Sequence, residues 1–169
     1  MSVELPAGVT ISSGIVLPEW IDINGHMNVA YYLLAFDLGI DNFWARLGIT
    51  DEYIETSKCS TFAVENHVTY QLELKQDDPF LITTQILAYD GKRIHLFQRM
   101  YHDEEKFLAA TVEWMALHID LTSRRVAPFP TAVMNALHEF ADEQGVLPKP
   151  EQAGQQMKVS KPIFVGVEQ

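Results

Sequence analysis

Cysteine occurs once in the 169 residues, as Cys59. One thiol cannot close an internal disulfide or build a cysteine-rich metal site, so Cys59 reads as structural. Cations are also scarce: 12 Lys and Arg face 23 Asp and Glu, a formal charge of -11. That balance disfavours nucleic-acid and anionic-membrane partners, which are held by clustered basic side chains. No apolar run approaches the roughly 20 residues that cross a bilayer, and the start lacks a basic-then-apolar signal pattern. A cytoplasmic protein is expected. Repeats and low-complexity stretches are missing too. One domain over 1–169 is expected, with a core near 14–142 and a tail over 143–169. A hydrophobic content of 47% is ample for such a core.

What is present begins with a β-branched run, Gly14-Ile15-Val16-Leu17, that reads as a strand ended by Pro18. Residues 1–13 show little periodicity and read as a lead-in. Val29, Leu33, Phe36, Ile40, Phe43 and Leu47 recur at spacings of three and four, predicting a buried helix of about 30 Å that Gly48 stops. Thr50–Ser57 reads as a short second helix. From Phe62 to Leu74 the sequence alternates. Val64, Val68, Tyr70, Leu72 and Leu74 share one face, and Glu65, His67, Thr69, Gln71 and Glu73 share the other. Strands over 80–89, 93–101 and 107–119 complete a predicted antiparallel meander, with Asp90-Gly91 as its hairpin turn. A terminal helix is predicted over 132–141, and Val159–Val165 is expected to regain order by docking. The fold class is α+β: a sheet wrapped around one long helix, with one face exposed and open edges that favour pairing between copies.

The chemistry concentrates just before that helix, in Trp20-Ile21-Asp22-Ile23-Asn24-Gly25-His26-Met27-Asn28. First-turn amides lack intrahelical partners and carry the positive end of the dipole, so they can hold an oxyanion. Asp22 beside them can act as base or nucleophile; equally, Asp22 and Asn28 can simply cap the helix. His26 can orient Asp22, touch substrate or bond to backbone. Histidines 95, 102, 118 and 138 lack ligand spacing, so no metal site is expected.

Asp-x-x-Gly-His-x-Asn followed by a Tyr-containing helix resembles the signature of hotdog-fold acyl-CoA thioesterases of the 4-hydroxybenzoyl-CoA thioesterase type, over roughly residues 14–130. The resemblance implies a hotdog fold and hydrolysis of a small acyl-CoA, with no cofactor beyond the CoA of the substrate. It also implies a homodimer or homotetramer with sites between subunits. It makes Asp22, His26 and Asn28 the catalytic candidates, with Trp20, Gly25 and Tyr32 on substrate. Trp20 stands where the family often has an acid, and Val29 where it often has a second Asn. Trp20 could therefore line an acyl pocket or face a quaternary ammonium. The stretch from Trp114 to Pro128 further resembles thioesterases acting on betainyl-CoA.

Glu65 and His67 could reach the acyl end or form a solvated sheet face. Arg93 and Arg124-Arg125 could contact CoA phosphates or be ordinary surface charge. Two other functions stay open: a hydratase or dehydratase acting on acyl-CoA or acyl carrier protein, and a non-catalytic acyl-CoA-binding module. Asp37 and Asp41 lie too far along the helix from His26 to suit the first.

Overall fold

In the computed structural model, which describes residues 6–161 and 163, an antiparallel sheet curls around one helix. The elements are β1 (Val9–Ile15), α1 (Val29–Arg46), α2 (Asp51–Ser57), β2 (Cys59–Tyr70), β3 (Pro79–Tyr89), β4 (Arg93–His102), β5 (Leu108–Asp120), β6 (Arg125–Val126) and α3 (Thr131–Gln144). This is the α+β hotdog architecture that the motif implied. No helix among the described residues is long and apolar enough to cross a membrane.

The strand order is β1-β3-β4-β5-β2, with β6 added to β5. Only β3, β4 and β5 therefore form a meander. β2 pairs with β5 across the far side, with Cys59 opposite Asp120 and Tyr70 opposite Ala110. The expected simple succession fails because residues 71–78 recross the sheet end instead of turning tightly. Asp77 N–H donates to Val16 O and Val16 N–H to Asp78 O, which ties the crossover to the end of β1. β1 itself begins five residues earlier than expected. Its Ser and Thr residues satisfy an edge register with β3 that carries little apolar signal.

The alternation predicted over 62–74 is broken twice. A bulge between Ala63 and Glu65 leaves Val64 unpaired and 55% exposed, and the strand stops at Tyr70. Leu72 is then exposed, while Leu74 is buried in the loop. In α1 the buried residues are Tyr32, Ala35, Phe36, Gly39, Ile40 and Phe43, whereas Val29, at the first turn, lies exposed. Gly39 lets the helix close on the sheet, since an added Cβ would sit 3.2 Å from Ser12 Cβ and 3.3 Å from Ile82 Cδ1. Gly48, at φ +79, follows the helix end as expected.

Facing α1 are Ile82, Leu96, Met100 and Val112, all fully buried. Among them runs a polar chain: Trp114 Nε1 donates to Gln98 Oε1 (2.7 Å), and Gln98 Nε2 to Thr84 Oγ1 (3.1 Å). The opposite sheet face is not open, contrary to expectation. Phe97 and Thr83 are buried there, because the flanking segments cross it. Thr83 Oγ1 donates to Ala7 O, Gln85 Nε2 to Pro148 O, and Gly154 N–H to Glu113 Oε2. Val159 and Ile163 are exposed, while Pro162, Phe164 and Val165 of the expected docking segment lie outside the described residues.

Candidate active site

The loop before α1 is held from both sides. Ile21 and Met27 form an isolated bridge, Asn28 N–H donates to Trp20 O, and Met27 N–H donates to Leu74 O. Leu74 N–H in turn donates to the buried Tyr32 hydroxyl at 2.8 Å. The helix thus fixes the loop through one phenol. Burial raises the Tyr32 pKa above its ordinary value, so the hydroxyl stays protonated at neutral pH.

Asp22, half-buried, points into this turn. Its Oδ1 accepts from Asn24 N–H at 2.8 Å, and its Oδ2 accepts from Asn28 Nδ2 at 3.4 Å. Asn28 caps the helix at the same time, its Oδ1 accepting from Ala30 N–H at 3.0 Å. The capping reading of Asn28 holds, and the other end of the same side chain contacts Asp22. Gly25, at φ +81, makes the turn, and its N–H returns to Asp22 O. The His26 ring meets Met27 O through Nδ1 at 3.2 Å.

Counting amides identifies a feature that the sequence did not resolve. Those of Asp22, Asn24, Gly25, Met27, Asn28, Ala30 and Tyr31 all have acceptors. Among the described residues of the loop, the amides of Ile23, His26 and Val29 have none, and Ile23 stands fully exposed to solvent, which leaves His26 and Val29. Both residues line one small recess of about 130 Å³, walled by Tyr32, Tyr70 and Leu72. Tyr32 and Tyr70 meet edge to face at 5.4 Å, and Tyr70 Oη reaches Val29 O. Tyr70 lines this recess although nothing singled it out beforehand. Its only signal was position, at the end of a strand whose length the alternation overstated. Trp20 stacks on Tyr31 at 5.7 Å and 13°, with Phe80 beyond it.

The remaining candidates lie elsewhere in the protomer. Glu65 and His67 line a cavity on the far sheet face with His95 and Glu113, beneath residues 154–156. Arg93 is paired with Asp90 at 2.7 Å across the β3–β4 turn. Arg124 lies over the Phe62 ring at 5.0 Å, and Arg125 is in the exposed strand β6. Arg99 is buried, bonded to Gln85 Oε1 at 2.8 Å. Within one chain, none of these is among the residues that line the His26–Val29 recess.

Residues 16–137 match the thioesterase-like superfamily. The chain belongs to that superfamily. This thioesterase is 35% identical over 139 residues to a betainyl-CoA thioesterase of Pseudomonas aeruginosa, covering 82% of this chain and 87% of that one. It is 36% identical over 147 residues to an L-carnitine dehydrogenase/betainyl-CoA thioesterase of Ruegeria pomeroyi. That match takes in 86% of this chain but only 29% of the longer relative. A Staphylococcus aureus protein solved in complex with CoA superposes with a TM-score of 0.85 at 30% identity, over 92% of this chain and 99% of the other.

Proposed function

We propose that this acyl-CoA thioesterase hydrolyses betainyl-CoA, with Asp22 delivering oxygen to the thioester carbonyl directly or through a water that it deprotonates. What supports the mechanism is a half-buried carboxylate held by Asn24 and Asn28 in the same loop as the amides of His26 and Val29, which have no acceptor among the described residues. As the carbonyl carbon becomes tetrahedral, its oxygen gains charge that those amides can accept. Collapse expels the CoA thiolate, a good leaving group that needs little protonation. His26, fixed to backbone, then orients rather than donates. The substrate assignment draws on the likeness to the Pseudomonas aeruginosa enzyme. The chemistry proposed here uses side chains and backbone alone.

We further propose that the enzyme works as a homo-oligomer paired through β2. This strand lies at one end of the sheet order, and its outer edge has no partner among the described residues. The proposed site opens at the Tyr70 end of that same edge.

The test is thiol release from betainyl-CoA by the wild type and Asp22→Asn. A loss in kcat of about 10³-fold or more, with an unchanged circular dichroism spectrum, is expected. Near-normal turnover by the variant overturns the role of Asp22. By the direct route Asp22 forms a mixed anhydride that water then hydrolyses, so label found in the Asp22 carboxylate after a single turnover in ¹⁸O water establishes the nucleophile. Trapping of the anhydride with hydroxylamine distinguishes it from a general base when label is in the product acid alone. Acyl-CoA binding without thiol release would point instead to a binding module.

A further inference from the structure

A cavity of about 530 Å³ lies away from the Asp22 loop. It lies between the C-terminal half of α1, the short helix α2, and the strands β2 and β5. Two indoles form its walls, the half-buried Trp44 and the buried Trp114. Trp114 is fixed through Gln98 and Thr84, so this wall is rigid. Ile40 and Ile54 add apolar surface. Around the mouth stand Asp37, Asp41 and Asp51, and no lysine or arginine lines the space. None of the three carboxylates has an ion pair among the described residues.

A metal ion or an ammonium with N–H groups would want oxygen ligands at the base of such a cavity. The buried part of this lining, Ile40, Ile49, Trp114 and Ala116, offers carbon and aromatic faces instead, and the polar side chains of Asn42, Thr50, Ser60 and Thr61 lie nearer the surface. The arrangement suits a cation that is bulky, apolar at its surface and unable to donate hydrogen bonds. Methyl groups on nitrogen fill the space, indole faces attract the spread charge, and the carboxylates complement it from the rim. A neutral or anionic acyl group gains none of the electrostatic part.

We propose that this cavity receives the quaternary ammonium head of the acyl group, presented to it by a second copy of the chain. The inference rests on the betainyl-CoA reading above. Within one protomer the two places are too distant. Asp37 lies nine residues along α1 from Asn28, about 14 Å at 1.5 Å per residue, whereas the ammonium of a betainyl thioester stands two bonds from its carbonyl. The edge strand resolves the gap. Ser60, Thr61 and Ala63, early in β2, line the cavity, and Tyr70, at its end, lines the recess beside His26. Antiparallel pairing of two β2 edges about their middle brings the early end of one copy beside the late end of the other. Trp44, Trp114, Asp37 and Asp41 of one copy then face Asp22 of its neighbour.

The experiment compares betainyl-CoA with 3,3-dimethylbutanoyl-CoA, in which carbon replaces the charged nitrogen at nearly constant shape. The wild type is expected to favour the charged thioester in kcat/KM. Asp37→Asn/Asp41→Asn and, separately, Trp44→Leu should each lower that ratio by about tenfold or more. Tetramethylammonium chloride, at ionic strength matched with KCl, should quench tryptophan fluorescence and compete with betainyl-CoA. Quenching should weaken in both variants. A charged-to-neutral ratio unchanged in both well-folded variants, or tetramethylammonium binding without competition, overturns the assignment. A wild type that cleaves no thioester overturns the catalytic reading and this inference with it. A wild type that cleaves both thioesters equally overturns the inference and leaves the Asp22 mechanism standing.

Discussion

Asn28 holds two bonds with opposite ends of one carboxamide, and substitution can separate them. Asn28→Ala loses the cap and the contact with Asp22, and should cost about 1 kcal/mol of stability as well as activity. Asn28→Asp retains a capping oxygen but removes the donor to Asp22 and sets a second carboxylate beside it. Melting temperature should stay near wild type while kcat falls, as urea unfolding and thiol release would show. Equal activity in both variants would reduce Asn28 to a cap. Asp41 supplies a second residue-level prediction. Burial, then the Asp37 and Asp51 carboxylates, raise its pKa above the ordinary value. A group held above its unfolded pKa favours the native state only while protonated, and that advantage is lost as pH rises through the folded value. Asp41→Asn should therefore raise the melting temperature at neutral pH, with the gain vanishing below about pH 4. An equal gain at both pH values would show that the carboxylate's charge is not its cause.

At the scale of elements, the long helix and the strands β3, β4 and β5 could be read directly, because their periodicity comes from burial against one another. The Asp90-Gly91 turn was legible for a local reason: Asp90 Oδ1 accepts from the amides of Lys92 and Arg93. What could not be read were features set by distant pairing. The bulge at Val64, the lateral move of β2 to β5 and the two-residue strand β6 depend on partners more than 40 residues away or on residual edge bonds. Likewise Asp22, Gly25 and Asn28 stood out by residue type, whereas the free amides of His26 and Val29 emerge only once the other loop amides are traced to an acceptor or, at Ile23, to solvent. The Tyr32–Leu74 bond shows how an element can hold the site. Tyr32→Phe keeps the ring but leaves a buried N–H without its acceptor, which should cost about 1–3 kcal/mol. It should also loosen the loop bonded to Leu74 O and reduce kcat. A stability loss without any loss in kcat would place the bond outside the active-site scaffold.

For the whole molecule, the proposed pairing through β2 makes self-association and catalysis a single property. Val64→Asp introduces a charge at the exposed bulge of that edge. It should shift the mass measured by light scattering toward the protomer and lower activity in parallel, with dilution of the wild type giving the same correlation. A dimer that persists with unchanged turnover would place the interface elsewhere. The acidic surface, -11 overall, fits a cationic acyl head better than it fits the phosphates of CoA. Those phosphates need cations gathered from separate parts of the chain, and neither Arg93, paired with Asp90, nor Arg99, buried against Gln85, is free to serve without exchange.

β3 and β4 are sealed on one side by α1 and on the other by residues from both ends of the described chain. The Trp114 indole of β5, tied to β4 and β3 through Gln98 and Thr84, is consequently in place before any ligand arrives. Under the proposed substrate reading, choice among acyl groups then becomes a matter of fit to a hard template.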